Sequence, residues 1–152
     1  MVDDRYGGMA IVGPDQRADP RAFLALLPFV QEFGIRVVTS VPGQVEVQMP
    51  FVERLSTPPN HFPASIVGVL GDVAAAASCI SLLPNGWTGA TLDYTIKMTG
   101  RAQGETLVAR GRVLQAGRTV SVGAADVFTI SAGRETQCGA VLATTRNFEI
   151  RV

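Results

Sequence analysis

The chain has 152 residues, with 13 basic and 13 acidic side chains and a formal net charge of zero. This length suits one domain with a sizeable core. The balanced charge gives no electrostatic footprint for nucleic acid or for an acidic membrane surface, so neither is expected as a partner.

The amino-terminal stretch up to residue 18 has no hydrophobic periodicity, and we expect a flexible arm there, followed by a single domain over residues 19–152. The stretch also lacks the basic and continuously apolar regions of a secretory signal, which favours a cytoplasmic location. Cys79 and Cys138 lie in apolar surroundings, where a thiol usually acts as a small hydrophobe. The sequence leaves a disulfide between them open.

The first predicted element is a short helix in DPRAFLALLPFVQEFG. Asp19 is a capping residue, Pro20 suits the first helical position, and Gly34 is a typical stop. Pro28 is expected to kink or split this helix.

Strand patterns follow on both sides of a long apolar segment. Apolar residues alternate over Ile35 to Val41 and Gln44 to Phe51 around Pro42-Gly43, which predicts a hairpin. After Pro84-Asn85-Gly86 the chain contains four more strand-like stretches, each bounded by a glycine-containing turn. Consecutive strands joined by short turns are expected to pair antiparallel.

The segment between these strand regions, from Asn60 to Leu83, consists almost wholly of small and apolar residues and carries one carboxylate, Asp72. A transmembrane helix is disfavoured by the acid and by the absence of flanking basic clusters. A buried central helix fits better, and an ionised Asp inside a protein needs partners or a purpose. Asp72 is therefore the first functional candidate, and its alternative is a carboxylate satisfied by donors of a neighbouring strand.

These elements predict an α+β architecture, in which an antiparallel sheet wraps around one long central helix. One sheet cannot cover every side of so apolar a helix, so a second copy of the chain is the expected partner.

The order of elements and several stretches resemble the hotdog-fold thioesterases of the PaaI-like, phenylacetate-pathway type. The resemblance runs from about Phe29 to Phe148 and includes LPFVQEFGIRVV, the helix GVLGDVAAAAS, the strand TLDYTIKM and the strand pair GETLVARGRVLQAGRTVSVGAADVF. It implies a hotdog fold and hydrolysis of an acyl-CoA thioester, with coenzyme A present only as part of the substrate and no separate cofactor.

The resemblance also implies a role for Asp72 as nucleophile or general base, and the separation between Asp72 and the strand at Thr91 agrees with the family pattern. Where the family commonly has a His-Gly-Gly turn, this chain has Pro63-Ala64-Ser65. His61 and Asn60 are the other predicted catalytic residues. His61 matches the family histidine only with a register shift, and its alternative is a loop residue in polar contact. Asn60 takes the place of a loop asparagine of the relatives, where its amide could orient a water or the acyl carbonyl, and its alternative is a turn residue.

Thioester hydrolysis also requires donors for the oxygen on which negative charge develops. Backbone N–H groups at the start of the helix, around Ala64 to Ile66, are candidates for this task, and Ser65 is a candidate N-cap. The remaining predicted substrate-binding residues are Phe62, Trp87, Thr91 and Arg118. Arg118 lies in a turn where it could meet a phosphate, although exposed turn arginines are usually only solvated. Trp87 would line the crevice or pack at the helix exit.

No group of His, Cys and carboxylate residues has metal-ligand spacing, so no metal site is expected. No Gly-x-Ser-x-Gly elbow accompanies the single histidine, which disfavours serine-nucleophile chemistry. The sequence thus predicts an acyl-CoA thioesterase that forms a homodimer or homotetramer. Two alternatives stay open, a non-catalytic acyl-CoA or lipid-binding hotdog protein and a hydratase-type hotdog enzyme.

Overall fold

A computed structural model of the protein describes residues 16–151. The helices are α1 (Pro20–Ala25), α2 (Pro28–Glu32) and α3 (Ala64–Ile80), with a 3-10 turn at Glu53–Leu55. The strands are β1 (Arg36–Val41), β2 (Gln44–Pro50), β3 (Trp87–Met98), β4 (Thr106–Gln115), β5 (Val120–Ser131) and β6 (Arg134–Glu149). Most of the expected arm at residues 1–18 lies outside the described residues. Its last three residues are described, and the N–H of Ala18 donates to the carbonyl of Leu83.

The first helical region is divided at Pro28, as the sequence predicts. The Asp19 side chain accepts a hydrogen bond from the N–H of Arg21, and Pro20 occupies the first turn of α1. Pro28 then starts α2, because a proline disfavours helical backbone at the residue before it and Leu27 is accordingly extended.

The six strands form one antiparallel sheet in the order β1-β2-β4-β5-β6-β3. The pairs β1–β2, β4–β5 and β5–β6 are neighbours in both chain and sheet, as expected. The expectation fails for β3 and β4, because β3 pairs with β6 and β4 pairs with β2. Residues 99–105 between them are too long for a tight hairpin, and the Ala102 carbonyl in this connection accepts the N–H of Phe62. The connection therefore passes beside the start of α3 and places β3 at a sheet edge.

The sheet packs closely on α3, and glycines permit this approach. A Cβ built on Gly111 of β4 would lie 2.1 Å from the carbonyl oxygen of Ala74, and one on Gly123 of β5 would lie 2.8 Å from that of Ala75. Both distances are shorter than any real side chain tolerates. The alanine run of α3 and the strand glycines together bring helix backbone against sheet backbone.

Two serines connect α3 to the hairpin of β1 and β2. Ser78 lies in the last turns of α3, and Ser81 is the residue that caps its end. The Ser78 hydroxyl accepts the N–H of Val45 and donates to the Ala74 carbonyl. The Ser81 hydroxyl accepts the N–H of Gly43. These serines satisfy buried backbone groups, which is a structural task and agrees with setting serine-nucleophile chemistry aside.

One side of α3 is left partly open by the sheet. We call this side the open stripe. Its residues recur every three or four positions and are either partly buried or exposed, and they are Ser65, Val69, Asp72 and Ala76. Most other positions of α3 are buried. The sheet wraps around the predicted central helix, and the α+β architecture is confirmed. No helix among residues 16–151 is long and apolar enough to span a membrane.

Candidate active site

Asp72 lies in the middle of α3, on the open stripe. Its Oδ1 accepts a hydrogen bond of 2.8 Å from the hydroxyl of Thr91 on β3. Burial raises the pKa of the Asp72 carboxyl above its ordinary value, and the Thr91 hydrogen bond opposes part of that rise. A carboxylate with a raised pKa at the edge of an apolar helix is suited to accept a proton.

An irregularity in β3 orients the side chains beside Asp72. The pairing of β3 with β6 shifts register between Thr91 and Asp93, which lets Thr91 and Tyr94 both reach α3 although they are three residues apart. The Tyr94 ring lies against Gly68, where an added Cβ would be 3.1 Å from Cε2 and 3.3 Å from the hydroxyl oxygen. Sequence reasoning missed Tyr94, because strict alternation along the strand places it on the face opposite Thr91.

The start of α3 presents free backbone donors. The N-cap is Pro63, with no side-chain cap, so the expectation of Ser65 as N-cap is wrong. The Pro63 carbonyl accepts the N–H groups of Ile66 and Val67, which removes Ile66 from the candidate oxyanion donors. The N–H groups of Ala64 and Ser65 have no hydrogen-bond partner within residues 16–151, and both residues are exposed. They can donate hydrogen bonds to an incoming carbonyl oxygen or anion.

Within one chain these donors lie far from Asp72. Ala64 precedes Asp72 by eight residues, which at 1.5 Å per residue is about 12 Å along the helix axis. One copy of the chain therefore does not bring the carboxylate and the helix-start amides to the same thioester carbonyl.

Asn60 and His61 lie in the loop before α3. Asn60 is exposed and has a positive φ of 56°, as in a turn. His61 pairs through its backbone with Thr57 and with Gln103, and its Nδ1 contacts the carbonyl of Pro59. The hydrogen bonds of the described residues connect neither Asn60 nor His61 to Asp72.

A wide groove opens beside this loop, with a volume of about 770 Å³. Its walls come from the loop before α3, the connection between β3 and β4, and the hairpin of β5 and β6: Phe51, Asn60, Arg101, Gln103, Gly104, Glu105, Thr129, Ser131 and Thr136. We call it the loop groove. Only Asn60 among the predicted site residues lines it.

The remaining predicted residues are dispersed. Phe62 is buried and makes an edge-to-face contact with Phe51 at 5.5 Å between ring centroids, which is a core position. Trp87 is the first residue of β3 and lines a separate cavity together with Phe148. Arg118 is exposed in the connection between β4 and β5. The structure thus joins only Asp72 and Thr91 directly, and it adds Tyr94.

The cysteines are free thiols in buried positions, and burial raises the pKa of both Cys79 and Cys138 to about 11. They are protonated near neutrality and are unsuited to nucleophilic chemistry. Among residues 16–151 no cluster of three His, Cys, Asp or Glu side chains has the arrangement of a metal site.

No protein-family profile matches the sequence, and no curated protein is similar enough to be matched to it. Similar solved structures do exist. A thioesterase family protein from Silicibacter pomeroyi is 27% identical and superposes with a TM-score of 0.83, over 86% of this chain and 96% of that one.

Two further structures have the same fold at lower identity. A thioesterase from Haemophilus influenzae is 16% identical with a TM-score of 0.76, over 95% of this chain and 96% of its own. A putative thioesterase from Silicibacter sp. is 21% identical with a TM-score of 0.74, over 94% of this chain and 97% of its own. The protein therefore has the hotdog fold of the thioesterase superfamily.

Proposed function

We propose that the protein hydrolyses acyl-CoA thioesters, with Asp72 as general base or nucleophile. The observation that carries the proposal is a partly buried carboxylate on the open stripe of an otherwise apolar helix, with its pKa raised and one oxygen held by Thr91. The similarity to a thioesterase family protein supports the reaction class. The sequence stretches described above support the PaaI-like type, and the free cysteines suit a reducing, cytoplasmic environment.

The active site is proposed to form between two copies of the chain. β3 is a long edge strand, and such an edge pairs readily with a second copy of itself. A twofold axis through this edge makes the two α3 helices antiparallel. Residues 64 and 72 are equally far from Gly68, so helices that cross at the level of Gly68 place Asp72 opposite Ala64 of the partner subunit. The carboxylate of one subunit and the free amides of the other can then reach the same thioester carbonyl, although Ala64 and Asp72 of one chain are about 12 Å apart.

In this arrangement the N–H groups of Ala64 and Ser65 bind the carbonyl oxygen of the thioester and stabilise its developing negative charge. Asp72 of the other subunit takes a proton from a water molecule as that water attacks the carbonyl carbon; the C–S bond then breaks, and the thiolate leaves with that proton as the thiol. Alternatively, Asp72 attacks the carbonyl carbon itself, the C–S bond breaks, the thiolate takes a proton from solvent, and water then hydrolyses the mixed anhydride. In both routes Thr91 fixes the orientation of the carboxylate. The positive end of the α3 dipole adds to the attraction for the oxyanion. Because backbone groups supply the donors, Pro63-Ala64-Ser65 can serve in place of a glycine turn.

The test is free-thiol release from a panel of short, medium, long and aryl acyl-CoAs. Asp72→Asn keeps the acceptor for Thr91 and is expected to reduce kcat by at least about a hundredfold, a typical effect of acid–base catalysis. Turnover that survives Asp72→Asn would exclude Asp72 from the chemistry. Saturable binding of CoA esters without turnover by the wild type would instead indicate a non-catalytic binding protein.

The backbone donor is tested with Ala64→Pro. Pro63 has φ −59° and ψ 153°, the conformation preferred before a proline, and the first helical position tolerates proline well. The substitution therefore deletes one N–H with little strain. We expect kcat to fall roughly a hundredfold, while the control Ala64→Gly, which keeps the N–H, stays close to wild type. Equal activity of the two variants would contradict the role of this amide.

A further inference from the structure

The Tyr94 side chain packs against α3 midway between the two parts of the proposed site. A Cβ added to Gly68 would lie 3.1 Å from Cε2 of Tyr94 and 3.3 Å from its hydroxyl oxygen. Gly68 lies one helical turn from Ala64 and one from Asp72, which is about 6 Å along the helix axis in each direction. Tyr94 is 41% exposed in one chain. The ring therefore contacts the helix on one side and borders open space on the other.

The proposed dimer places both copies of Tyr94 near its twofold axis. The two α3 helices cross at the level of Gly68, and each Tyr94 ring packs against Gly68 of its own subunit. The two reacting carbonyls lie on opposite sides of this axis, each at the level of Asp72 of one subunit. The paired rings therefore lie between the two sites, about one helical turn from each carbonyl along α3.

The side of α3 that faces the sheet has no room for a substrate. A Cβ on Gly71 would lie 2.4 Å from Cγ2 of Val141 and 3.0 Å from its Cβ, and the contacts of the strand glycines with α3 are similarly short. An acyl chain that begins beside Asp72 therefore cannot pass between the helix and the sheet. It has to follow the open stripe, either toward the twofold axis or away from it.

The surface toward the twofold axis is apolar. Next to the Tyr94 ring it consists of Gly68 and Val69 of α3 and Ile96 of β3, and Cδ1 of Ile96 lies 3.5 Å from the Cβ position of Gly68. A CoA thioester has an acyl substituent and a phosphate-bearing thiol substituent. Burying the charged substituent here would cost its hydration, whereas a hydrocarbon chain is stabilised by leaving water. The acyl substituent is therefore the one directed toward the axis.

We propose that Tyr94 determines the length of the acyl group that the protein accepts, because the paired rings close the acyl-binding space at the twofold axis. The inference rests on the proposed thioester hydrolysis and adds its substrate class, which is short-chain acyl thioesters. A short chain ends before it reaches the ring, whereas a longer chain meets it. The Tyr94 hydroxyl has no hydrogen-bond partner among residues 16–151, and the limit is assigned to the bulk of the ring.

The experiment is calorimetric titration of the protein with S-alkyl thioethers of CoA, from ethyl to dodecyl, which cannot be hydrolysed. For the wild type, affinity is expected to rise roughly fourfold with each added methylene group until the chain reaches the ring, and to rise no further beyond that length. Tyr94→Ala is expected to move this limit to longer chains and to raise the affinity for the dodecyl thioether by at least about tenfold, the effect of two more buried methylene groups. Tyr94→Phe keeps the ring and is expected to show the wild-type limit.

Three further variants test the size, the sign and the place of the effect. Tyr94→Leu has intermediate bulk and is expected to give an intermediate limit. Gly68→Ala adds a methyl group 3.1 Å from the ring, which has to shift away from α3 into the acyl space, so the limit is expected to move to shorter chains. Leu114→Ala removes an exposed apolar side chain from β4, a strand not adjacent to β3, and is expected to leave the limit unchanged.

The proposal is overturned if none of the thioethers binds, if Tyr94→Ala has the wild-type limit, or if Tyr94→Phe or Leu114→Ala moves the limit as far as Tyr94→Ala does. These measurements do not depend on turnover. An inactive protein whose length limit depends on Tyr94 would therefore contradict the proposed hydrolysis and still support this inference. An active protein whose length limit is independent of Tyr94 would do the reverse.

Discussion

Asp72 lies in a position that suits the proposed chemistry and is unfavourable for folding stability. Its carboxyl is partly buried on an apolar helix, with a single side-chain hydrogen bond from Thr91 to compensate. Burial disfavours the charged form, so the residue is easier to protonate than an ordinary Asp. The raised pKa that suits Asp72 to the proposed role of base is also expected to cost folding free energy at neutral pH.

The first prediction concerns the pH dependence of activity. Catalysis by an ionised Asp72 increases as the pH rises through its raised pKa. Thr91→Val removes the hydrogen bond that lowers this pKa, so the acidic limb of the kcat/KM profile is expected to move to higher pH. Thr91→Ser retains a hydroxyl and should leave the limb in place. Identical profiles for the two variants would show that Thr91 does not influence the pKa of Asp72.

The second prediction concerns stability. Because the folded-state pKa of Asp72 is raised above its unfolded value, its favourable contribution is present at low pH and is lost as the pH rises through the folded pKa. Asp72→Asn is therefore expected to raise the Tm at neutral pH, with a smaller gain in acid. Glu53→Gln, at an exposed position in the 3-10 turn outside β3, is the control. A lower Tm for Asp72→Asn at neutral pH would contradict this view.

At the scale of elements, the helices and hairpins follow from local sequence. Pro28 divides α1 from α2 because its ring excludes helical backbone at Leu27, and Gly43 provides the positive φ of 82° in the β1–β2 turn. The position of β3 does not follow from such signals. β3 pairs with β6 as the sheet wraps around α3. This pairing brings together parts of the chain that are distant in sequence.

The third prediction tests the close packing of α3 on the sheet. Gly111→Ala introduces a Cβ 2.1 Å from the backbone oxygen of Ala74, which no side-chain rotation relieves. We expect a loss of about 3 kcal/mol in the free energy of unfolding, measured by urea denaturation. Gly89→Ala in β3 is the matched control, because its nearest neighbours would lie at 3.5 Å. It is expected to change stability by less than about 0.5 kcal/mol.

At the scale of the whole molecule, the candidate site is incomplete in one chain. Asp72 and the free amides of Ala64 and Ser65 are separated by about 12 Å of helix, whereas the edge strand β3 and the open stripe leave room for a second copy. The dimer is therefore part of the proposed chemistry. In solution its mass should be twice the 16.1 kDa of one chain.

The fourth prediction follows from this shared site. Asp72→Asn and Ala64→Pro damage different halves of it, so mixed dimers contain one intact site and one doubly damaged site. Subunit exchange between the two variants is expected to restore about a quarter of wild-type activity, the fraction of intact sites in a random mixture of a twofold dimer. No recovery, despite exchange shown by mass spectrometry of labelled subunits, would place both groups in the same subunit.

The sequence by itself determined the helix that carries Asp72 and the strands around it, and it singled out that carboxylate as the leading functional candidate. These depend on hydrophobic periodicity, turn residues and the cost of burying a charge, all of which are local. Only the tertiary structure decided the pairing of β3 with β6, the contact of Tyr94 with Gly68 of α3 and the separation of Phe62, Trp87 and Arg118 from Asp72. Those features depend on the register of strands that are distant in the chain and on the space around α3, which no local pattern encodes.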